Sequence, residues 1–395
     1  MKKVFRFLSF FFGIILLFCG CVEHTQPIPG KGNGPVLIGA LLPLTGADKI
    51  PGERMLSGLQ YAEYELNNQR GINNRSVKLL VFDSAAEGAY TAYLSAVQAG
   101  VSGIICGNTG DELQNVFAPA EKYSIPTIIA RDTADSNVNA NPFIFRSIYT
   151  DSQQSEALAA YLWYWRQMQR ICVLMDNSPD AVCERNNARA VAASFRDLGG
   201  TVTDTPVYRD NNFSKAINEA LITGPQAIIV SARGKRAAAI LAELRQKGYK
   251  GAICGTDGWD TPEFFKSLTV KDPGDCVYIS CFTPSETSEE FKDFSAGFRR
   301  RHFHEPGNLE TISYDALKLL AIGLGRAESL RDFRKNWLAI RNHFGCAATY
   351  TMLKRGKVDR TMYINAIEPA KANGLGCQGR LLRSFMHSRL ATYRY

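Results

Sequence analysis

Short apolar runs alternate along this chain with longer stretches whose apolar positions recur at helical spacing, and turn residues separate the two kinds. Residues 36–41 form the first run, read as a strand. Met55, Leu59, Ala62 and Leu66 then line one face of a helix over 54–67. The alternation continues through strand 77–82, helix 89–99, strand 104–106, helix 113–123 and strand 127–130. A second, similar run holds a helix from Asp151 or Ser152 to Trp165, strand 171–175, helix 184–198, strand 201–208, and then 213–222, 227–230, 236–247 and 252–254. Strands that are apolar on both faces and joined by helices belong to parallel sheets covered on both sides. The expected class is therefore α/β, with two doubly wound parallel-sheet lobes.

A third part carries helices over 289–302 and 315–325 and a hairpin of 349–353 with 360–366 around Lys354-Arg355-Gly356-Lys357. Beyond Ala370 periodicity fades, and residues 373–395 read as a basic C-terminal tail. Within the first run, 104–133 twice carries a strand into a polar loop, at 107–110 and at 131–133. In a parallel sheet both loops open at the carboxyl edge, where small ligands bind.

Composition narrows the picture. A chain of 395 residues suits two domains, and 45% hydrophobic with 21% charged residues is globular. The net charge of +8 is concentrated at the ends. Lys2, Lys3 and Arg6 precede an apolar run, while Arg380, Arg383, Arg389 and Arg394 lie in the tail, so the body is close to neutral and no nucleic-acid partner is expected.

Residues 1–20 have the form of a signal peptide. Gly20-Cys21 resembles a bacterial lipobox, which makes Cys21 the candidate lipidation site and Cys19 a second one; the alternative is a plain secretory leader cut near Gly20. On the lipobox reading residues 21–35 are expected to form a lipidated tether, with the protein exported and anchored at the periplasmic or cell-surface face of the envelope. Eight cysteines follow, with Cys346 and Cys377 in the looser segments; their connectivity stays open. No zinc-type spacing occurs, so no metal is expected. The GxGxxG at 374–379 lacks a following βαβ unit, and no GxSxG elbow is present, so neither a cofactor nor catalysis is expected.

Ile38-Gly39-Ala40-Leu41-Leu42-Pro43-Leu44-Thr45-Gly46, Gly52, Gly58, Gly71-Ile72 and Val81-Phe82-Asp83-Ser84 resemble the opening of the leucine/isoleucine/valine-binding family. These are type I periplasmic solute-binding proteins of ABC transporters. Phe145-Arg146-Ser147, Gly255-Thr256-Asp257-Gly258 and Ser313-Tyr314-Asp315-Ala316 extend the resemblance to about residue 368. It implies the type I periplasmic-binding-protein fold, two lobes joined by three crossovers. Lobe one would take 36–150 and 283–345, and lobe two 151–282 and 346–372.

The resemblance also implies an interlobe cleft that captures a small polar ligand, an amino acid or related compound, and presents it to an ABC permease or other membrane protein. Thr109, Gly110 and Asp111 fall where the ligand carboxylate is held after the third strand. Arg131, Asp132 and Thr133 fall at the matching place after the fourth. Asp257 would meet the ligand ammonium, with helix capping as its other reading, and Trp259 would wall the pocket or pack beneath the next helix. Pro51, Asp180-Ala181 and Arg233 stand where the family has aromatic residues. Arg131, Asp132 and Arg233 make the cleft more charged than a leucine pocket and suggest a polar or acidic ligand, unless these arginines form rim salt bridges. The alternative function is a lipoprotein of the same fold acting as a sensor or regulatory subunit for a protein partner.

Overall fold

The computed structural model describes residues 34–135, 141–269, 273–283, 288–325, 327–369 and 377–393. The leader, Cys19, Cys21, Gly374 and Arg394 lie outside them. Two sheets organise the chain. The first holds β1 (Val36–Leu42), β2 (Val77–Asp83), β3 (Gly103–Cys106), β4 (Thr127–Ile129) and β5 (Ile144–Arg146), all parallel, in the order β2-β1-β3-β4-β5. Residues such as Ile38, Ile104, Ile105 and Ile128 are fully buried because helices cover both faces.

The second sheet begins with β6 (Arg170–Asp176), β7 (Thr201–Asp204), β8 (Val207–Tyr208), β9 (Ala227–Val230), β10 (Ala252–Gly255) and β11 (Cys276–Ser280). It is completed by antiparallel strands β12 (His343–Phe344), β13 (Thr349–Met352), β14 (Val358–Pro369) and β15 (Cys377–Met386). Between β11 and β12 the chain returns to the first lobe, where the Asn308–Leu324 helix packs against the Lys49–Asn68 helix. A Cβ on Gly58 would lie 2.1 Å from the Glu310 carbonyl oxygen, so glycine permits that crossing.

Two expectations change. The C-terminal segment is no structureless tail: β15 pairs with β14 from Cys377 to Met386 and ends in a 3-10 turn over His387–Tyr393. Phe385 stacks on Trp165 at 5.7 Å with rings 6° from parallel, and the Arg383 guanidinium lies 4.6 Å from the same ring. The strand escapes sequence reading because most of its side chains are polar and exposed, which leaves no clear apolar alternation along it. The helix from Asp151 does reach Trp165, but its last turn, Tyr161–Trp165, is a π-helix. No disulfide joins Cys346 to Cys377; Cys346 instead donates to the Glu290 carbonyl at 3.3 Å.

Candidate functional site

A cleft of about 620 Å³ opens between the lobes at the carboxyl ends of β3, β4, β9 and β10. Thr109, Gly110, Arg131, Asp132 and Thr133 line one wall, Arg233 and Asp257 the other. Its size falls within the ordinary range for a small-ligand site.

On the first wall, Gly110 begins the Gly110–Tyr123 helix with φ +59°, a backbone region that disfavours a serine. Its N–H donates to the Asp132 carboxylate at 3.1 Å, and Ala134 N–H donates to the other oxygen at 3.0 Å. Arg146 of β5 lies 3.8 Å from Asp132 and donates at 2.5 Å to each of the carbonyls of Asp132 and Ala134. Burial raises the Asp132 carboxyl above its usual range, while the Gly110 bond and the Arg146 charge oppose that rise. The donor that the family resemblance assigns to a ligand carboxylate is thus already used by this chain's own carboxylate.

The three arginines of the cleft are engaged in pairs. Arg131 forms two hydrogen bonds to Asp48, at 3.0 and 3.1 Å, and Arg54 two to Glu310, both at 2.8 Å. Arg233 Nε donates to Glu184. These pairs supply the rim salt bridges, so the arginines no longer argue for an acidic ligand.

The second wall carries the acids. Asp257 follows β10, and Gln154 Nε2 donates to its Oδ1 at 3.2 Å and to Asp151 Oδ1 at 3.0 Å. No ion pair joins Asp257 to a lysine or arginine among the described residues. Burial raises its carboxyl above the usual range, against the opposing charge of Arg233. Asp151 is pushed up to about 7 by burial and then by the charge of Asp257. Asp260 rises to about 6 through burial, although Ser280 and Asn308 donate to it. A wall of partly desolvated carboxyls favours a cation, which restores their ionised forms.

Two expected residues do not reach the cleft. Trp259 is fully buried in the core of the second lobe, its Nε1 donating to Val230 O at 3.1 Å and its ring stacked on Phe264 at 4.8 Å. Asp111 is exposed in the first turn of its helix, turned away from the cleft lining. Asp257 does not cap the following helix; the Thr261 side chain does, accepting from Phe264 N–H at 3.2 Å.

Sequence reading also missed Glu184 and Asn187, which line the cleft and are 4% and 3% exposed. A signal was present. On the Val182–Asp197 helix the buried positions are Glu184, Asn187, Ala188, Val191, Ala192 and Phe195, an apolar stripe whose first turn is polar.

Comparisons with known proteins agree with this architecture. A family model described as periplasmic binding protein matches residues 35–344. An amino acid binding protein of Pseudomonas aeruginosa is 21% identical over 338 residues, 82% of this chain and 86% of the relative. The substrate binding protein LivJ of a branched-chain amino acid transporter from Streptococcus pneumoniae, solved with isoleucine, superposes with a TM-score of 0.72 at 22% identity, covering 88% of this chain and 100% of that one. An ABC transporter solute binding protein of Rhodopseudomonas palustris, solved with 3,4-dihydroxy benzoic acid, gives 0.72 at 14% identity, covering 89% and 98%. At these identities the solved structures establish the fold alone. The family model, however, spans most of the sequence, from the first strand to the return into the second sheet: the chain belongs to the periplasmic binding protein family.

Proposed function

We propose that this protein captures a small polar, amine-bearing ligand, an amino acid or related compound, in the interlobe cleft and delivers it to an ABC importer. The observation that carries the reading is Asp257, a carboxylate at the carboxyl end of β10 that faces the cleft without an ion-pair partner among the described residues. An ammonium placed there would gain a charge-assisted hydrogen bond in a partly desolvated site. Export and anchoring through Cys21 complete the proposal, placing the cleft outside the cytoplasm and close to the permease.

Calorimetry against a panel of amino acids and amines tests capture. A ligand at about a hundredfold excess over its Kd stabilises the fold by about 2.7 kcal/mol. Asp257→Asn, which keeps the shape and the Gln154 contact, is expected to weaken binding by about 2–5 kcal/mol. Unchanged affinity in that variant would remove Asp257 from the site. Membrane fractionation tests the anchor: Cys21→Ala protein is expected in the soluble fraction, and its retention on membranes would rule out Cys21 as the attachment point.

A further inference from the structure

The acids that line the cleft outnumber its arginines. Asp132, Asp180, Glu184, Asp257, Asp260 and Glu263 line it as acids, against Arg54, Arg131 and Arg233, each already held by a carboxylate. Acidity alone does not define a ligand. A second, independent feature does: Glu184 Oε2 and Asn187 Oδ1 are buried oxygens with no hydrogen-bond partner among the described residues. Both residues are more than nine-tenths buried and line the cleft. Leaving a buried acceptor unsatisfied costs about 1–3 kcal/mol, more for a charged group, so a donor is called for at this point. Glu184 and Asn187 stand three residues apart on one helix face, as a polar first turn above an apolar stripe.

Both acceptors need donors, and beside an acid such as Glu184 a cationic N–H forms the stronger bond. Asp257 offers a third acceptor on the same lobe, and Arg233 lies within electrostatic reach of both Glu184 and Asp257. On the facing wall the arrangement works against an anion. Asp132 already occupies the Gly110 N–H, and both guanidiniums of that wall are paired in two-point contacts. A carboxylate entering there would meet a resident carboxylate and two guanidiniums already committed to other acids.

Resting on the capture role proposed above, we infer that the cleft selects a small organic dication: one ammonium at Asp257, a second donating to Glu184 Oε2 and Asn187 Oδ1, and no carboxylate opposite Asp132. The ligand class is an aliphatic diamine, distinguished from a basic amino acid by the group it lacks.

The test uses three probes with the mature full-length protein near neutral pH: cadaverine, lysine, which differs from it by one carboxylate, and leucine. Calorimetry is expected to give cadaverine at least about tenfold tighter than lysine, with leucine weakest. Glu184→Gln, which retains an oxygen for Arg233, is expected to weaken cadaverine by about tenfold or more without a comparable loss of thermal stability. Asp132→Asn, which retains an acceptor for Gly110, is expected to narrow the gap between cadaverine and lysine. Leucine or lysine binding as tightly as cadaverine overturns the inference and leaves the capture role standing. Cadaverine binding that is indifferent to Glu184→Gln overturns the second ammonium site. Failure of these probes and of a wider amino-acid and amine panel overturns both readings.

Discussion

Asp151 shows how the cleft couples charge to stability. It is buried and hears Asp257 and Asp135 as like charges and Arg146 as the opposing one, with Thr133 and Gln154 donating to it. Its folded-state pKa of about 7 lies above the ordinary carboxylate value of 3.8, so the folded chain holds a proton that the unfolded chain releases. The stabilisation is complete below the unfolded pKa and is lost as pH rises through the folded one. Between about pH 4 and 7 this group makes the ligand-free protein less stable with rising pH, by up to about 1.4 kcal/mol per unit. Asp151→Asn is expected to flatten that slope and to raise stability near pH 8, read by urea unfolding at a series of pH values. A slope unchanged in the variant would discard the assignment. The same scale shows what the sequence conceals. Asp257 was singled out through the family resemblance of the Gly255-Thr256-Asp257-Gly258 turn, and the structure puts it in the cleft lining. The partner of Arg131 is Asp48, which no local pattern links to it, and the same guanidinium therefore reads equally well as a ligand clamp or a rim pair.

The regular elements were the most legible part, since buried parallel strands and amphipathic helices each carry their own periodicity. Several residues of the family-like motifs prove to hold the frame. Asp315 accepts from Cys346 N–H at 2.8 Å, Ala347 N–H at 2.7 Å and Tyr350 OH at 2.8 Å, fixing the turn into β13. Ser313 Oγ donates to Met55 O at 2.9 Å beside the Gly58 crossing. Strand β15 was illegible for the opposite reason: its side chains face solvent along most of its length, and only Phe385 and Met386 at its end are buried. Phe385 therefore anchors the segment, through its stack on Trp165. Phe385→Ala is expected to cost about 3 kcal/mol in urea unfolding, the lower part of the range for a buried phenylalanine because Trp165 can relax toward solvent. A loss well below about 1 kcal/mol would mean that β15 is held by its backbone pairing to β14 and little else.

At the scale of the whole molecule, the lobes meet around one buried cation. Arg360, at the start of β14, donates to Ser147 O beyond β5 at 3.3 Å and to Cys281 O beyond β11 at 2.6 Å, and its guanidinium lies 5.1 Å from the Tyr350 ring centre and 5.9 Å from that of Tyr149. It ties together the points where the chain leaves each sheet. Across the cleft, Asn308 of the first lobe donates to Asp260 of the second, at 2.9 Å to its carbonyl and 3.3 Å to its carboxylate. On either side stand like charges, Asp132 on one wall and Asp257 on the other. A ligand that bears positive charge reduces their repulsion and contacts both walls at once, so it favours the state in which the walls are nearest; a ligand shifts such an equilibrium only by its difference in affinity for the two states. Small-angle scattering is therefore expected to show a smaller radius of gyration at saturating ligand than without it. Asn308→Ala removes the cross-cleft contact to Asp260 together with a local bond from Leu309 N–H, and is expected to weaken ligand binding by about 1 kcal/mol while leaving the liganded radius unchanged. An equal radius with and without bound ligand would mean that the cleft fills without closure, and would place the affinity in the walls as they already stand.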